Sequence, residues 1–173
     1  MYKIGIITAS DKGAQGQRED KSWTVIREMV SGLPAEVCDY RLLPDEPADI
    51  SAALAEMAGR GLDLIFTTGG TGLGPRDHTP EATLAVVDRL VPGLAELMRQ
   101  KGLEQTPRAA LSRAVAGIRG RSLIINLPGS PRAVRESLEA LLPVLPHALE
   151  ILTGSGGECA RPDTPAPADP AGR

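Results

Sequence analysis

The chain has 173 residues, enough for one domain with a sizeable core, and its 42% hydrophobic and 24% charged residues are ordinary for a globular protein. With only 2% aromatics and a formal charge of −3, it fits neither a general nucleic-acid binder nor a protein drawn to membrane surfaces. No apolar run approaches the roughly 20 residues that cross a bilayer, and the N-terminal MYKIGIITASD lacks the form of a signal peptide, so a cytoplasmic protein is expected. Residues 3–8 read as a buried strand rich in β-branched side chains, followed by the polar loop SDKGAQGQRED. Residues 21–29 read as a helix, with Trp23, Ile26 and Val30 near one face. A second strand is expected over 36–43, with Asp45 directly after it and Asp49 as cap of the helix ISAALAEMAGR. A third, short and apolar, covers 63–67 and runs into TTGGTGLGPRDHTPE. There Thr79 as N-cap and Pro80 at the first helical position predict a helix over EATLAVVDRL. Another helix over 91–101 opens at Pro92. Residues 122–126 form a further strand, whose LPGSPR turn feeds the helix AVRESLEALL. Pro143 and Pro146 break that helix before a last one, HALEIL. From Gly154 onward the Gly/Pro/Ala-rich sequence has no periodicity and reads as a disordered tail, leaving residues 1–153 as the domain.

Strands alternating with helices predict a mostly parallel sheet with helices on both faces. Ligands of such sheets bind at the carboxyl ends of the strands. Three loops meet that condition, SDKGAQG, TTGGTG and LPGSP. In TTGGTG, glycine lets the backbone approach a ligand, and successive amides can form an anion nest at the start of a helix. It is neither a P-loop nor a dinucleotide fingerprint, because no Lys-Ser/Thr pair follows and the glycine spacing differs. A tight strand-to-helix connection is the alternative reading. Carboxylates beside such a cradle, Asp45 and Asp77, would repel an anion unless a divalent cation reverses the sign. Mg²⁺ takes one or two carboxylates together with phosphate oxygens. The alternatives are a capping or turn role for Asp77 and a plain turn role for Asp45 in LPDEP. His78 and His147 have no triad setting, and Arg76 and Arg132 are either phosphate ligands or solvated charges. Cys38 and Cys159 lie far apart and near no histidine cluster, which supports neither a zinc site nor a disulfide framework.

Together TTGGTG with RDHTPEAT, LLPDE, ALSRAVAGIR and NLPGSP resemble the molybdopterin-binding family of the Mog and MoaB proteins, to which the gephyrin G domain is similar. The resemblance spans residues 2–153. It implies a three-layer α/β/α domain, a homotrimer, and adenylylation of molybdopterin by Mg-ATP with release of pyrophosphate. A MoeA-type molybdate insertase would use the product. It also implies that Asp45 and Asp77 are the catalytic pair that holds Mg²⁺. ATP and molybdopterin would be bound by Ser10, Asp11 and Asp20 in the first loop and by Gly69, Gly70, Thr71 and Gly72 in the second. Thr79, Pro80, Ser112, Asn126, Pro128, Gly129 and Ser130 complete the implied set. A noncatalytic, MoaB-type molybdopterin-binding scaffold is the other function such loops serve.

Overall fold

Apolar residues on both phases of the first strand require cover on two sides. Ile4 and Ile6 lie in one buried cluster and Ile7 and Ala9 in another, so both faces of the sheet are packed. The structure, a computed structural model, describes residues 1–154. The strands are β1 (Tyr2–Ala9), β2 (Ala35–Leu43), β3 (Leu64–Thr68), β4 (Arg89–Leu90), β5 (Ala116–Arg119) and β6 (Ser122–Leu127). They form one six-stranded sheet in the order β2-β1-β3-β6-β5-β4. The four strands at the β2 side are parallel, and β5 and β4 are antiparallel to their neighbours.

The helices are α1 (Asp11–Ala14), α2 (Lys21–Val30), α3 (Pro47–Gly59), α4 (Thr79–Leu84), α5 (Pro92–Leu103), α6 (Pro131–Leu141) and α7 (Leu145–Thr153), with a 3-10 turn over Pro107–Leu111. On one face Phe66, Ile125 and Leu127 pack with Ile26 of α2, Met98 of α5, Val134 and Leu138 of α6 and Leu149 of α7. On the other, Ile65 and Ile124 pack with Ile50, Leu54 and Met57 of α3 and Ala82 of α4. This is the expected three-layer α/β/α arrangement.

Four details depart from the sequence reading. Asp49 does not cap α3: Glu46 holds the cap position, because Pro47 enters at the first helical turn and leaves Asp49 inside it. Thr79 is not the N-cap of α4 but its first residue, and His78 precedes it without a side-chain capping bond. That helix stops at Leu84 instead of running through DRL, because Arg89 and Leu90 pair with Ile118 and Gly117 as strand β4. The segment AGIR is a strand that no local pattern announces, and it makes the sheet mixed. The tail lies outside the described residues, and α7 closes at Thr153 with Gly154 left-handed at φ 71°.

Candidate active site

Four strand ends meet at one edge of the sheet. The Ser10 amide donates to Leu43 O (2.9 Å), joining the ends of β1 and β2. Thr68 Oγ1 donates to Pro128 O (2.7 Å), joining β3 to the loop after β6. A Cβ on Gly69 would collide with Ala9 O, and one on Gly129 would lie 3.3 Å from Gly69 Cα. The three loops singled out in the sequence therefore touch one another.

The glycine loop is shaped by what lies beneath it. Gly70 has φ 64°, and a Cβ there would collide with Thr79 Oγ1 and sit 3.4 Å from Asp45 Oδ1. A side chain is excluded both by conformation and by space. Two positions on, a Cβ at Gly72 would meet Asp77 Oδ2 at 2.8 Å. Asp45 and Asp77 thus flank the same three residues. The amides of Gly70, Thr71, Gly72 and Leu73 donate to no acceptor among the described residues. Thr71 is buried, Gly70 and Gly72 are half-buried and Leu73 is exposed, and successive open amides of this kind can form a nest for an anion. Helix α4 has only six residues, so the amides rather than a helix dipole carry that attraction.

The carboxylates form a graded cluster. The Asp11 amide donates to Asp45 Oδ2 (2.9 Å), and the Asp45 amide donates to Asp11 Oδ1 (3.0 Å). Arg76 adds Nε to Asp11 Oδ2 (3.1 Å) and Nη2 to Asp11 Oδ1 and Glu46 Oε1 (3.0 and 2.7 Å). Asp11 is therefore held below its ordinary value, chiefly by the Arg76 hydrogen bond. Asp45 is pushed up, first by burial and further by the charges of Asp11 and Asp77. The Gly74 amide donates to Asp77 Oδ2 (2.9 Å). Among the described residues, no group of three or more His, Cys, Asp or Glu side chains forms a ready-made metal cage. Mg²⁺ needs no such cage when phosphate oxygens supply the remaining ligands.

Two cavities open on either side of the loop. The first, about 490 Å³, is lined by Ser10, Asp20, Lys21, Gly69 and Gly129 among others. The second, about 280 Å³, is lined by Thr71, Gly72, Met98, Arg99, Ser112 and Pro128 among others. Asp20 is firmly held: Oδ2 accepts from Thr8 Oγ1 (2.5 Å) and Tyr40 Oη (2.7 Å), and Oδ1 caps α2 at Trp23 N (3.0 Å). Burial, with Asp20 alongside, pushes the Tyr40 phenol up to about 12. Trp23 stacks on Tyr40 at 4.3 Å between centroids.

Some of the implied residues lie behind the surface. Asn126 is fully buried and donates from Nδ2 to Thr67 Oγ1 (2.9 Å) and Thr83 Oγ1 (2.8 Å) while accepting from Val115 N (3.2 Å). Thr79 and Pro80 are buried under the loop, and Thr79 Oγ1 has no hydrogen-bond partner among the described residues. Ser130 caps α6 through Ala133 N (3.2 Å). Arg132 pairs on the surface with Glu136.

Sequence reasoning missed Arg113, although it stands inside the quoted ALSRAVAGIR. Its Nε donates to Gly72 O (2.7 Å), its Nη2 to Asp77 O (2.5 Å), and its Nη1 to Glu81. Its own amide donates to Thr71 O (2.9 Å). An arginine next to a serine in a quoted motif was the available signal, but only the tertiary contact gives it meaning.

The family model described as "Probable molybdopterin binding domain" matches residues 5–147. The molybdopterin adenylyltransferase of Helicobacter pylori (strain J99) is 44% identical over 156 residues, which cover 88% of this chain and 88% of that one. The molybdopterin adenylyltransferase of Escherichia coli (strain K12) is 43% identical over 143 residues, 80% of this chain and 73% of the other. Among solved structures, the molybdopterin biosynthesis enzyme MoaB from Thermus thermophilus superposes with a TM-score of 0.85 at 62% identity. It covers 89% of this chain and 98% of that one.

Proposed function

The chain belongs to the molybdopterin-binding family of the Mog and MoaB proteins, and from that premise we propose that its site transfers the adenylyl group of ATP to the terminal phosphate of molybdopterin. The observation that carries this reading is the loop at the end of β3, where open amides and two carboxylates meet over three residues with a cavity on either side. Two phosphorylated substrates reacting with each other need this arrangement more than they need a nucleophile from the protein. A phosphate oxygen of molybdopterin forms a bond to the α-phosphorus of ATP, the bond from that phosphorus to the bridging oxygen breaks, and pyrophosphate leaves with the electron pair. The residues contribute by placement and by charge. The amides of Gly70, Thr71, Gly72 and Leu73 hold phosphoryl oxygens. Ser10 and Gly129 line the first cavity, and Pro128 lines the second.

The residues fit Mg²⁺: Asp45 and Asp77 each commit Oδ2 to a backbone amide, and Oδ1 of each accepts no hydrogen bond among the described residues. When bound, the ion neutralises charge that gathers on the phosphates and on the departing pyrophosphate. Burial and neighbouring carboxylates already make Asp45 costly to ionise, so a cation there would relieve an existing strain. A homotrimer, hand-over to a MoeA-type molybdate insertase and a cytoplasmic location belong to the same proposal. Exposed Leu84 and Leu90 support self-association, and an adenylylated phosphate is an activated product that calls for a consumer. No helix among the described residues is long and apolar enough to cross a membrane.

The test is pyrophosphate release from ATP with Mg²⁺ and molybdopterin. Release that depends on all three is expected. Binding of molybdopterin with no release would overturn the reading in favour of a scaffold.

A further inference from the structure

The geometry points to Arg113, braced by Glu81, as the positioning residue that turns the carbonyls of the β3–α4 loop inward and so presents its amides to phosphate. In a trans peptide the carbonyl and the following amide point in opposite directions. Three carbonyls of this loop are drawn toward the Arg113 segment: Thr71 O by the Arg113 amide, and Gly72 O and Asp77 O by the guanidinium. The amides that follow those carbonyls belong to Gly72, Leu73 and His78. Those of Gly72 and Leu73 are among the open donors, and His78 N likewise donates to no acceptor among the described residues. Glycine-rich backbone has little preference of its own for which way a peptide plane faces. An outside group must choose, and the planar fork of an arginine reaches two carbonyls and a carboxylate in fixed directions from three nitrogens, where a lysine offers a single rotating ammonium. Glu81 supplies that carboxylate from the first turn of α4, so the fork is itself fixed against the helix that ends the loop. Ser112 next to it lines the second cavity, which places the strap directly behind the substrate surface.

The inference rests on the adenylyl-transfer reading for its kinetic arm only. The first measurement is the amide spectrum of ¹⁵N-labelled protein titrated with Mg-pyrophosphate. In the wild type the amides of Gly70, Thr71, Gly72, Leu73 and His78 shift. In Arg113→Met the shifts of Leu73 and His78, whose preceding carbonyls the guanidinium holds, are lost, while the amides of Gly129 and Ser130 on the loop after β6 still respond. Pyrophosphate release falls about 100-fold, as expected for displaced binding groups, and added guanidinium ion restores part of it. Arg113→Lys falls between the two. Should Arg113→Met not fold, Glu81→Gln carries the test and must weaken the same two shifts. Shifts retained in the folded variant, or lost equally at Gly129 and Ser130, overturn the proposal, as do wild-type amides that never respond. A wild-type chain that releases no pyrophosphate but shows the amide pattern counts against the reaction and not against the strap.

Discussion

Asp20 and Asp45 stand at the ends of neighbouring segments on one edge of the sheet, yet their surroundings are opposite. Asp20 receives Thr8 Oγ1, Tyr40 Oη and Trp23 N, three donors on two oxygens. Asp45 receives one amide and faces the carboxylates of Asp11 and Asp77, with its own protonation favoured by burial. The first environment is complete without a ligand. In the second, the nearby Arg76 is paired with Asp11 and Glu46, and the burial and like charges at Asp45 outweigh it. One residue type is therefore fully engaged in one place and left with an open oxygen in the other, which is what the proposed cation seat at Asp45 requires, and the hydrogen-bond inventory tells them apart.

The sharpest way to break that contrast is to neutralise the acidic side. Asp77→Asn keeps an oxygen for the Gly74 amide but removes the charge. Turnover should fall about 100- to 1000-fold, with molybdopterin binding little changed. Equal rates in steady-state pyrophosphate release would remove Asp77 from the chemistry. Next in size is the loop itself. Gly70→Ala must adopt φ near 64° and push aside Thr79 Oγ1. Chemical denaturation should show a loss of about 2–3 kcal/mol, and an unchanged midpoint would mean that the loop has another shape.

On the structural side, Asp20→Ala deletes the cap of α2 and the acceptor of Tyr40. A loss of about 1–2 kcal/mol is expected, together with a fall in the Tyr40 titration, followed by phenolate absorbance, from about 12 toward its ordinary value. The smallest effect has the opposite sign. Asp45 is raised in the folded state, so its ionised form opposes folding at neutral pH, and that opposition fades as pH falls through its titration. In metal-free buffer Asp45→Asn should raise Tm by about 2 °C at neutral pH, and the gain should close on acidification while catalysis stays impaired. A lowered Tm would show that Asp45, like Asp20, is a structural peg.

Much of this arrangement was visible along the chain. Strands β1, β3 and β6 are runs of apolar residues buried on both faces, each followed by Gly, Pro or Ser, and such runs announce parallel strands. The β3 loop stood out because its glycines follow an apolar strand and precede a helix start, a place that suits either an anion cradle or a tight connection. Strands β4 and β5 did not stand out. They are two and four residues long, and they owe their state to pairing with each other and with β6. Asn126, which the resemblance at NLPGSP places among the ligand contacts, is a buried tie between β3, β6 and α4, a packing role that only the assembled sheet reveals.

The layering of the domain, the three loops at its strand ends and the presence of carboxylates beside them could be read from the sequence, because periodicity, glycine and proline act over a few residues. Tertiary structure alone decided which carboxylate is satisfied and which is not, and that Arg113 grips a loop some forty positions earlier. Hydrogen bonds and charge repulsion depend on distances between segments, and those distances exist only once the sheet has brought the strand ends together.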